Sequence, residues 1–117
     1  MSNPVEVVRE HLAAVAEYDW DGVETSLSAN AELTLGGVTD WEWTISTIYR
    51  HVTQAWDFTI ADTLLSQGDD GLVTGVIRLV NHGLVKDVVC KYRVAQDRII
   101  SITLSDSAAV KRSMPMD

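Results

Sequence analysis

Four strands are predicted between residues 56 and 106, each with apolar residues at alternate positions. Three polar side chains occupy positions in this apolar series: Asp62, Cys90 and Asp106. A carboxylate on an apolar face costs several kcal/mol if it stays charged and unpaired. Asp62 must therefore be paired, hydrated, or protonated with a raised pKa, and a raised pKa suits a general acid/base. The alternative is a twist or bulge that turns Asp62 to solvent, as is common at sheet rims.

A second titratable side chain, His11, shares a helical stripe with Val8 and Val15. An imidazole has an ordinary pKa of about 6.5, which suits proton transfer near neutral pH. The alternative is a histidine at the edge of the core, hydrogen-bonded to backbone. The sharper hypothesis makes Asp62 the catalytic base and His11 its partner.

Cys90 is the only cysteine, so no internal disulfide can form, which fits a reducing, cytoplasmic compartment. Free cysteine is a common small core residue, and a nucleophilic role would need a neighbouring base such as His11. Asp106 lies at a strand end, where hydrated carboxylates are routine. The predicted pocket lining consists of Tyr18, Trp41, Tyr49, Phe58, Cys90, Tyr92 and Asp106.

Three helices are predicted in the first half of the chain. The first begins at Asn3-Pro4-Val5-Glu6, which combines a capping Asn, Pro at the first helical position and Glu three residues after the cap. Asp19 caps a second, shorter helix. A capping box at Thr39-Asp40-Trp41-Glu42 predicts a third helix whose buried stripe starts at Trp41.

The chain outside these helices is predicted to be strand and turn, with a short strand at residues 31–35 and a four-strand meander at 58–67, 72–81, 84–94 and 98–106. A two-residue turn at His82-Gly83 pairs Gly75 with Cys90 and Arg78 with Asp87. The same alternation can be followed through the other turns if residues 96–98 form a three-residue turn. It then assigns positions 58, 60, 62, 64, 100, 102, 104 and 106 to the apolar face. The opposite face is mixed and predicts a homodimer surface.

Composition limits the possible partners. The net charge is −8, and the first 70 residues carry thirteen acidic side chains against only Arg9 and Arg50, which disfavours nucleic-acid binding. No apolar run approaches the ~20 residues of a membrane span. Neither metal-ligand spacing nor a glycine-rich phosphate loop occurs, so we predict no metal and no cofactor. A chain of 117 residues suits one domain, here residues 1–107, with a tail at 108–117.

This order of elements resembles the nuclear transport factor 2-like superfamily, and especially its small bacterial SnoaL-like polyketide cyclases and ketosteroid isomerases. The resemblance covers about residues 4–106 and depends on three stretches: Asp19-Trp20-Asp21-Gly22, Gln67-Gly68-Asp69 and Asp97-Arg98-Ile99-Ile100. It implies an α+β fold in which a cone-shaped, curved antiparallel sheet wraps around the N-terminal helices. It also implies a mostly apolar internal pocket and a homodimer.

The catalytic positions of these relatives fall on other residue types in this chain. The ketosteroid-isomerase base falls on Leu35, and the tyrosine and protonated acid of its oxyanion hole fall on His11 and Cys90. The polyketide-cyclase aspartate falls near Leu104. The resemblance therefore implies the fold more strongly than any of these reactions.

We expect a pocket for a small apolar or aromatic molecule. The leading hypothesis is cofactor-free proton transfer (isomerisation, cyclisation or dehydration) by Asp62 and His11. The rival is a non-catalytic binding or assembly domain, and a third reading is a structural dimer module whose cone is filled by side chains. The sequence does not identify a substrate.

Overall fold

A computed structural model describes residues 3–37, 43–56, 59–81 and 83–106, and the structural statements below concern these residues. Three helices and five strands lie within them. The helices are α1 (Pro4–Ala16), α2 (Trp20–Thr25) and α3 (Ile45–Trp56). The strands are β1 (Leu27–Leu35), β2 (Thr59–Gln67), β3 (Leu72–Asn81), β4 (Leu84–Ala95) and β5 (Arg98–Asp106). The predicted α+β class is confirmed.

The helix starts follow the capping residues. The Asn3 side chain accepts a hydrogen bond from the Val5 N–H at 3.0 Å, and the Asp19 side chain accepts one from the Gly22 N–H at 3.1 Å. Helix α3 begins at Ile45, later than predicted, where Thr44 Oγ1 accepts from the Thr47 N–H at 3.2 Å. The capping box predicted at residues 39–42 lies outside the described residues.

One curved sheet contains all five strands in the order β1-β5-β4-β3-β2. Strand β1 runs parallel to β5, and the other neighbours are antiparallel. The β3–β4 register is the predicted one, with Gly75 opposite Cys90 and Arg78 opposite Asp87. Arg78 donates two hydrogen bonds to the Asp87 carboxylate, at 2.9 and 3.1 Å, which reinforces this register on the outer face.

A bulge in β2 changes the face to which Asp62 belongs. Ile60 pairs with Leu79 and Asp62 with Arg78, so Ala61 is an extra residue on β2. Beyond this bulge the side-chain phase is inverted, and both Asp62 and Leu64 are exposed. The prediction that these two residues face the apolar side is wrong, because an inserted residue exchanges the two faces of a strand.

The turn before β5 also differs from the prediction. It contains two residues, Gln96 and Asp97, with φ of 54° and 62°, as a type I′ hairpin turn requires. A bulge at Ile100 then restores the predicted phase, so that Ile102 is buried on the apolar side. The position facing the core near the start of the strand is Ile99, fully buried, and not Ile100.

The core lies between the concave face of the sheet and the helices. Helix α1 contacts β2, β3, β4 and β5, and it buries Val8, Leu12 and Val15 against them. The convex face has no helix packed on it among the described elements, and it presents an apolar row flanked by charged side chains. None of the described helices has the length and apolar content needed to cross a bilayer.

Candidate ligand-binding site

A cavity of about 300 Å³ opens between the concave face of the sheet and helices α1 and α3. Most of its wall is aliphatic: Leu12, Val15, Ala16, Leu35, Ile48, Ile60, Ile77, Leu79, Val88 and Leu104. The polar side chains in the wall are Tyr18, Tyr49, Thr59, Lys86 and Tyr92. An apolar wall with a few convergent polar groups is typical of small-molecule sites.

The cavity has a closed end and a mouth. At the closed end, Tyr92 has no exposed surface, and Tyr49 and Ile77 are also buried. At the mouth, Tyr18 is 50% exposed, Thr59 is exposed and Lys86 is half-buried. The cavity is therefore open to solvent beside Tyr18 and enclosed near Tyr49 and Tyr92.

His11 lies behind this closed end and is not part of the cavity wall. It is fully buried, and its ring stands edge-on to the rings of Tyr49 and Tyr92, with centroid distances of 5.6 and 5.8 Å. Its Nδ1 lies 2.7 Å from Ser26 Oγ, and its Nε2 lies 3.3 Å from the Tyr49 hydroxyl. Its partners are therefore side chains, whereas the sequence alternative expected backbone.

The hydrogen-bond pattern fixes the protonation of this group. Ser26 Oγ donates its proton to the Val23 carbonyl at 2.7 Å, so it accepts from His11 Nδ1–H. Burial lowers the pKa of His11 to about 4, so the ring is neutral near pH 7 and Nε2 is an acceptor. The Tyr49 hydroxyl must then donate its single proton to Nε2. His11 is a satisfied structural group and is not positioned to take a proton from a ligand.

The Tyr92 hydroxyl differs from that of Tyr49 in its hydrogen bonding. The hydroxyl is buried and has no hydrogen-bond partner in the described part of the chain. The Tyr49 hydroxyl is the nearby polar group that interacts with it, but the geometry of the pair is not that of a formed hydrogen bond. Burial raises the pKa of both phenols, so both keep their protons at neutral pH. An unpaired buried hydroxyl costs about 1–3 kcal/mol, so this one needs an explanation.

The other predicted site residues have several locations. Cys90 is buried and is not among the residues that line the cavity, and burial raises the pKa of its thiol to about 11, so the thiol keeps its proton at neutral pH. Trp41 and Phe58 lie outside the described residues. Asp106 pairs with Val88 at the end of β5, and its side chain is not described.

Asp62 is not in the cavity. Its side chain is exposed on the convex face, where Oδ1 accepts a hydrogen bond from the Thr63 N–H at 2.8 Å. The strand-bulge alternative for this residue is therefore the correct one. The predicted pairing of Asp62 with His11 is wrong, because the sheet separates the two side chains.

Lys86 was missed as a pocket residue, although the sequence contains a signal for it. Lys86 is an even number of residues from Val88 and Tyr92 along β4, so the three side chains point to the same face of the strand. The confirmed β3–β4 register places that face on the concave side of the sheet. Among the described wall residues Lys86 is the one charged side chain. Its position at the mouth lets the ammonium group reach water while the methylene stem lines the cavity.

Two positions that the resemblance assigns to catalytic carboxylates are leucines in the cavity wall. Leu35 and Leu104 both line the cavity, and they lie opposite each other in the β1–β5 pair. Within the described residues, no three His, Cys, Asp or Glu side chains come together as a metal site would require. The described wall of the cavity is therefore predominantly apolar at these positions as well.

Comparisons with known proteins agree with this geometry at the level of the fold. IdmH from Streptomyces antibioticus, proposed to be a polyketide cyclase, superposes with a TM-score of 0.76 at 12% identity over 96% of this chain and 97% of IdmH. An NTF2-like protein from Burkholderia thailandensis superposes with a TM-score of 0.72 at 20% identity over 99% of this chain and its full length. The protein has the nuclear transport factor 2-like fold.

A third solved structure with this fold is a protein from Sinorhizobium meliloti, also proposed to be a polyketide cyclase. It has a TM-score of 0.72 at 11% identity over 86% of this chain and 94% of its own. No protein-family model matches the chain, and no curated protein matches it either. The superpositions show the nuclear transport factor 2-like fold. At sequence identities this low, they do not assign an activity.

Proposed function

We propose that this protein binds a small, largely apolar molecule in the cavity between α1, α3 and the concave sheet face. The observation that carries the proposal is the cavity itself: about 300 Å³, walled by aliphatic side chains and accessible past Tyr18. This volume is at the lower end of the range for small-molecule sites, so a ligand of about two fused rings fits better than a larger one.

Binding is better supported than proton transfer. The two residues predicted to transfer protons are an exposed carboxylate on the convex face and a neutral histidine behind the wall. The described wall contains no carboxylate. The names of IdmH and the S. meliloti protein connect this fold with cyclic small molecules, which supports a ring-bearing ligand and leaves the reaction open.

We also propose that the convex face forms a homodimer. The register aligns Leu64, Val76 and Val89 in one apolar row across three strands, with Leu64 69% exposed. Sedimentation of the wild type should give a dimer, and Val89→Glu should give a monomer. A monomeric wild type at micromolar concentration would contradict this part of the proposal.

The binding proposal is tested by filling the mouth of the cavity. Ala16 lines the cavity at the end of α1, whereas Ala13, one turn earlier and also exposed, does not. We expect the wild type and Ala13→Trp to bind 2-methylnaphthalene, measured by fluorescence titration, and Ala16→Trp to lose at least about tenfold in affinity because the indole occupies the entrance. Equal affinity in all three proteins, or no binding by the wild type, would overturn the proposal.

A further inference from the structure

The closed end of the cavity contains two neighbouring tyrosines, Tyr49 and Tyr92, whose hydroxyl groups differ in their hydrogen bonding. Tyr49 donates its only proton to His11 Nε2, since that nitrogen is an acceptor. Its oxygen retains lone pairs, so Tyr49 faces its surroundings as an acceptor. The proton of Tyr92 has no partner among the described residues. A donor and an acceptor thus lie side by side at this end.

We propose that the Tyr92 hydroxyl is a specificity-determining donor for a hydroxyl group on the ligand. This inference rests on the proposed binding function and names the ligand class: a ring-bearing phenol or alcohol whose oxygen reaches the closed end. Such an oxygen accepts a hydrogen bond from Tyr92 and donates one to Tyr49. The ligand hydroxyl completes a chain that already runs through Ser26, His11 and Tyr49.

The arrangement discriminates between ligand groups. A methyl group at this place leaves Tyr92 unpaired, and an ionised carboxylate would meet two neutral phenols without a cation, because the described wall's charged residue, Lys86, lies at the mouth. A carbonyl oxygen pairs with Tyr92 but leaves the Tyr49 lone pairs unused. A hydroxyl is the group that satisfies both tyrosines, and buried sites reject groups that leave polar atoms unpaired.

The surroundings of Tyr92 agree with a hydroxyl that has no hydrogen-bond partner among the described residues. Its side chain forms part of the wall and has no exposed surface, so bulk water does not satisfy the group. Tyr92 lies on β4 two residues after Cys90 and faces the cavity side of the sheet, where its register partner on β5 is the apolar Ile102. The neighbouring sheet residue therefore supplies no side-chain acceptor for this hydroxyl.

The test compares two isosteric ligands and one isosteric substitution. Dissociation constants for 2-naphthol and 2-methylnaphthalene are measured by fluorescence titration with the wild type, Tyr92→Phe and the control Thr103→Val. Thr103 pairs with exposed Lys91 on the convex face, so its hydroxyl lies away from the cavity. We expect the preference for 2-naphthol over 2-methylnaphthalene to fall about two- to tenfold in Tyr92→Phe and to stay unchanged in Thr103→Val.

The outcomes separate this inference from the function on which it rests. If both ligands bind and Tyr92→Phe retains the wild-type preference, Tyr92 is not the donor, and binding in the cavity stands alone. If neither ligand binds the wild type, the proposed function and this inference are both overturned. The wild-type comparison is also decisive by itself, because equal affinity for 2-naphthol and 2-methylnaphthalene would contradict a hydroxyl-selective closed end.

Discussion

The closed end and the mouth of the cavity accommodate polar groups in an apolar wall by different means. At the closed end, His11, Tyr49 and Tyr92 are buried and electrically neutral; His11 hydrogen-bonds to Ser26 and Tyr49, and the Tyr92 hydroxyl has no partner among the described residues. At the mouth, Tyr18 and Lys86 remain in contact with water. We therefore expect substitutions at the closed end to alter the stability of the protein and its ligand selectivity, and substitutions at the mouth to alter ligand affinity alone.

The largest expected effect is a pH dependence that originates at the closed end. Burial lowers the pKa of His11 to about 4, whereas the unfolded chain titrates near 6.5. Below pH 6.5 the unfolded chain therefore binds a proton that the folded chain does not. The free energy of unfolding should therefore decrease as the pH is lowered. Relative to its value at pH 7, it should be lower by about 2 kcal/mol at pH 5 and by about 3 kcal/mol near pH 4.

Urea denaturation at several pH values between 7 and 5 measures this loss. His11→Gln, which can still hydrogen-bond to Ser26 and Tyr49, should abolish most of the slope. His51→Gln, at an exposed position on α3, should retain it. If wild type and His11→Gln lose stability in parallel, the closed end does not hold a neutral histidine.

The second prediction compares the two buried tyrosines directly. Tyr49→Phe removes the donor to His11 Nε2 and leaves a buried acceptor unpaired, which should lower the free energy of unfolding by about 2 kcal/mol at pH 7. Tyr92→Phe removes a hydroxyl that has no partner among the described residues, so it should leave stability unchanged or raise it by up to about 1 kcal/mol. Urea denaturation of both variants gives the comparison. A larger loss for Tyr92→Phe would reverse the roles assigned to the two hydroxyls.

The sequence predicted the parts of the molecule that local rules determine. Asn3 and Asp19 identified two helix starts because a capping side chain and its backbone donor are only a few residues apart. The two-residue turn after Asn81 determined the β3–β4 register, and the Arg78–Asp87 pair supported it. Alternation within that register would also have identified Lys86 as a concave-face residue.

The sequence failed where one residue changes the phase of a strand. Ala61 forms a bulge, and the pattern around it gives no local sign of one, so Asp62 was assigned to the wrong face. The partners of His11 could not be predicted either, since Ser26 and Tyr49 are 15 and 38 residues away and meet it only in the folded chain, where α2 packs on both α1 and α3. The candidate site was therefore less predictable than the fold.

The smallest expected effect belongs to the mouth. Lys86 is half-buried there, so its attraction to a ligand anion is partly screened by water, and a screened pair is worth about 0.2–1 kcal/mol. Lys86→Met should weaken binding of a ligand with its anion at the mouth, such as 2-naphthoate, by about two- to fivefold at low salt. The same substitution should leave binding of the uncharged 2-methylnaphthalene unaffected.

Lys91 provides the matched control for this last prediction, because it lies on the same strand but is exposed on the convex face. Lys91→Met removes the same charge from the protein as a whole without changing the cavity. If both lysine variants weaken 2-naphthoate binding equally, the attraction comes from net charge and not from the mouth. If only Lys86→Met does so, and added salt removes the difference, the anion lies beside Lys86 while the apolar rings extend toward Tyr92.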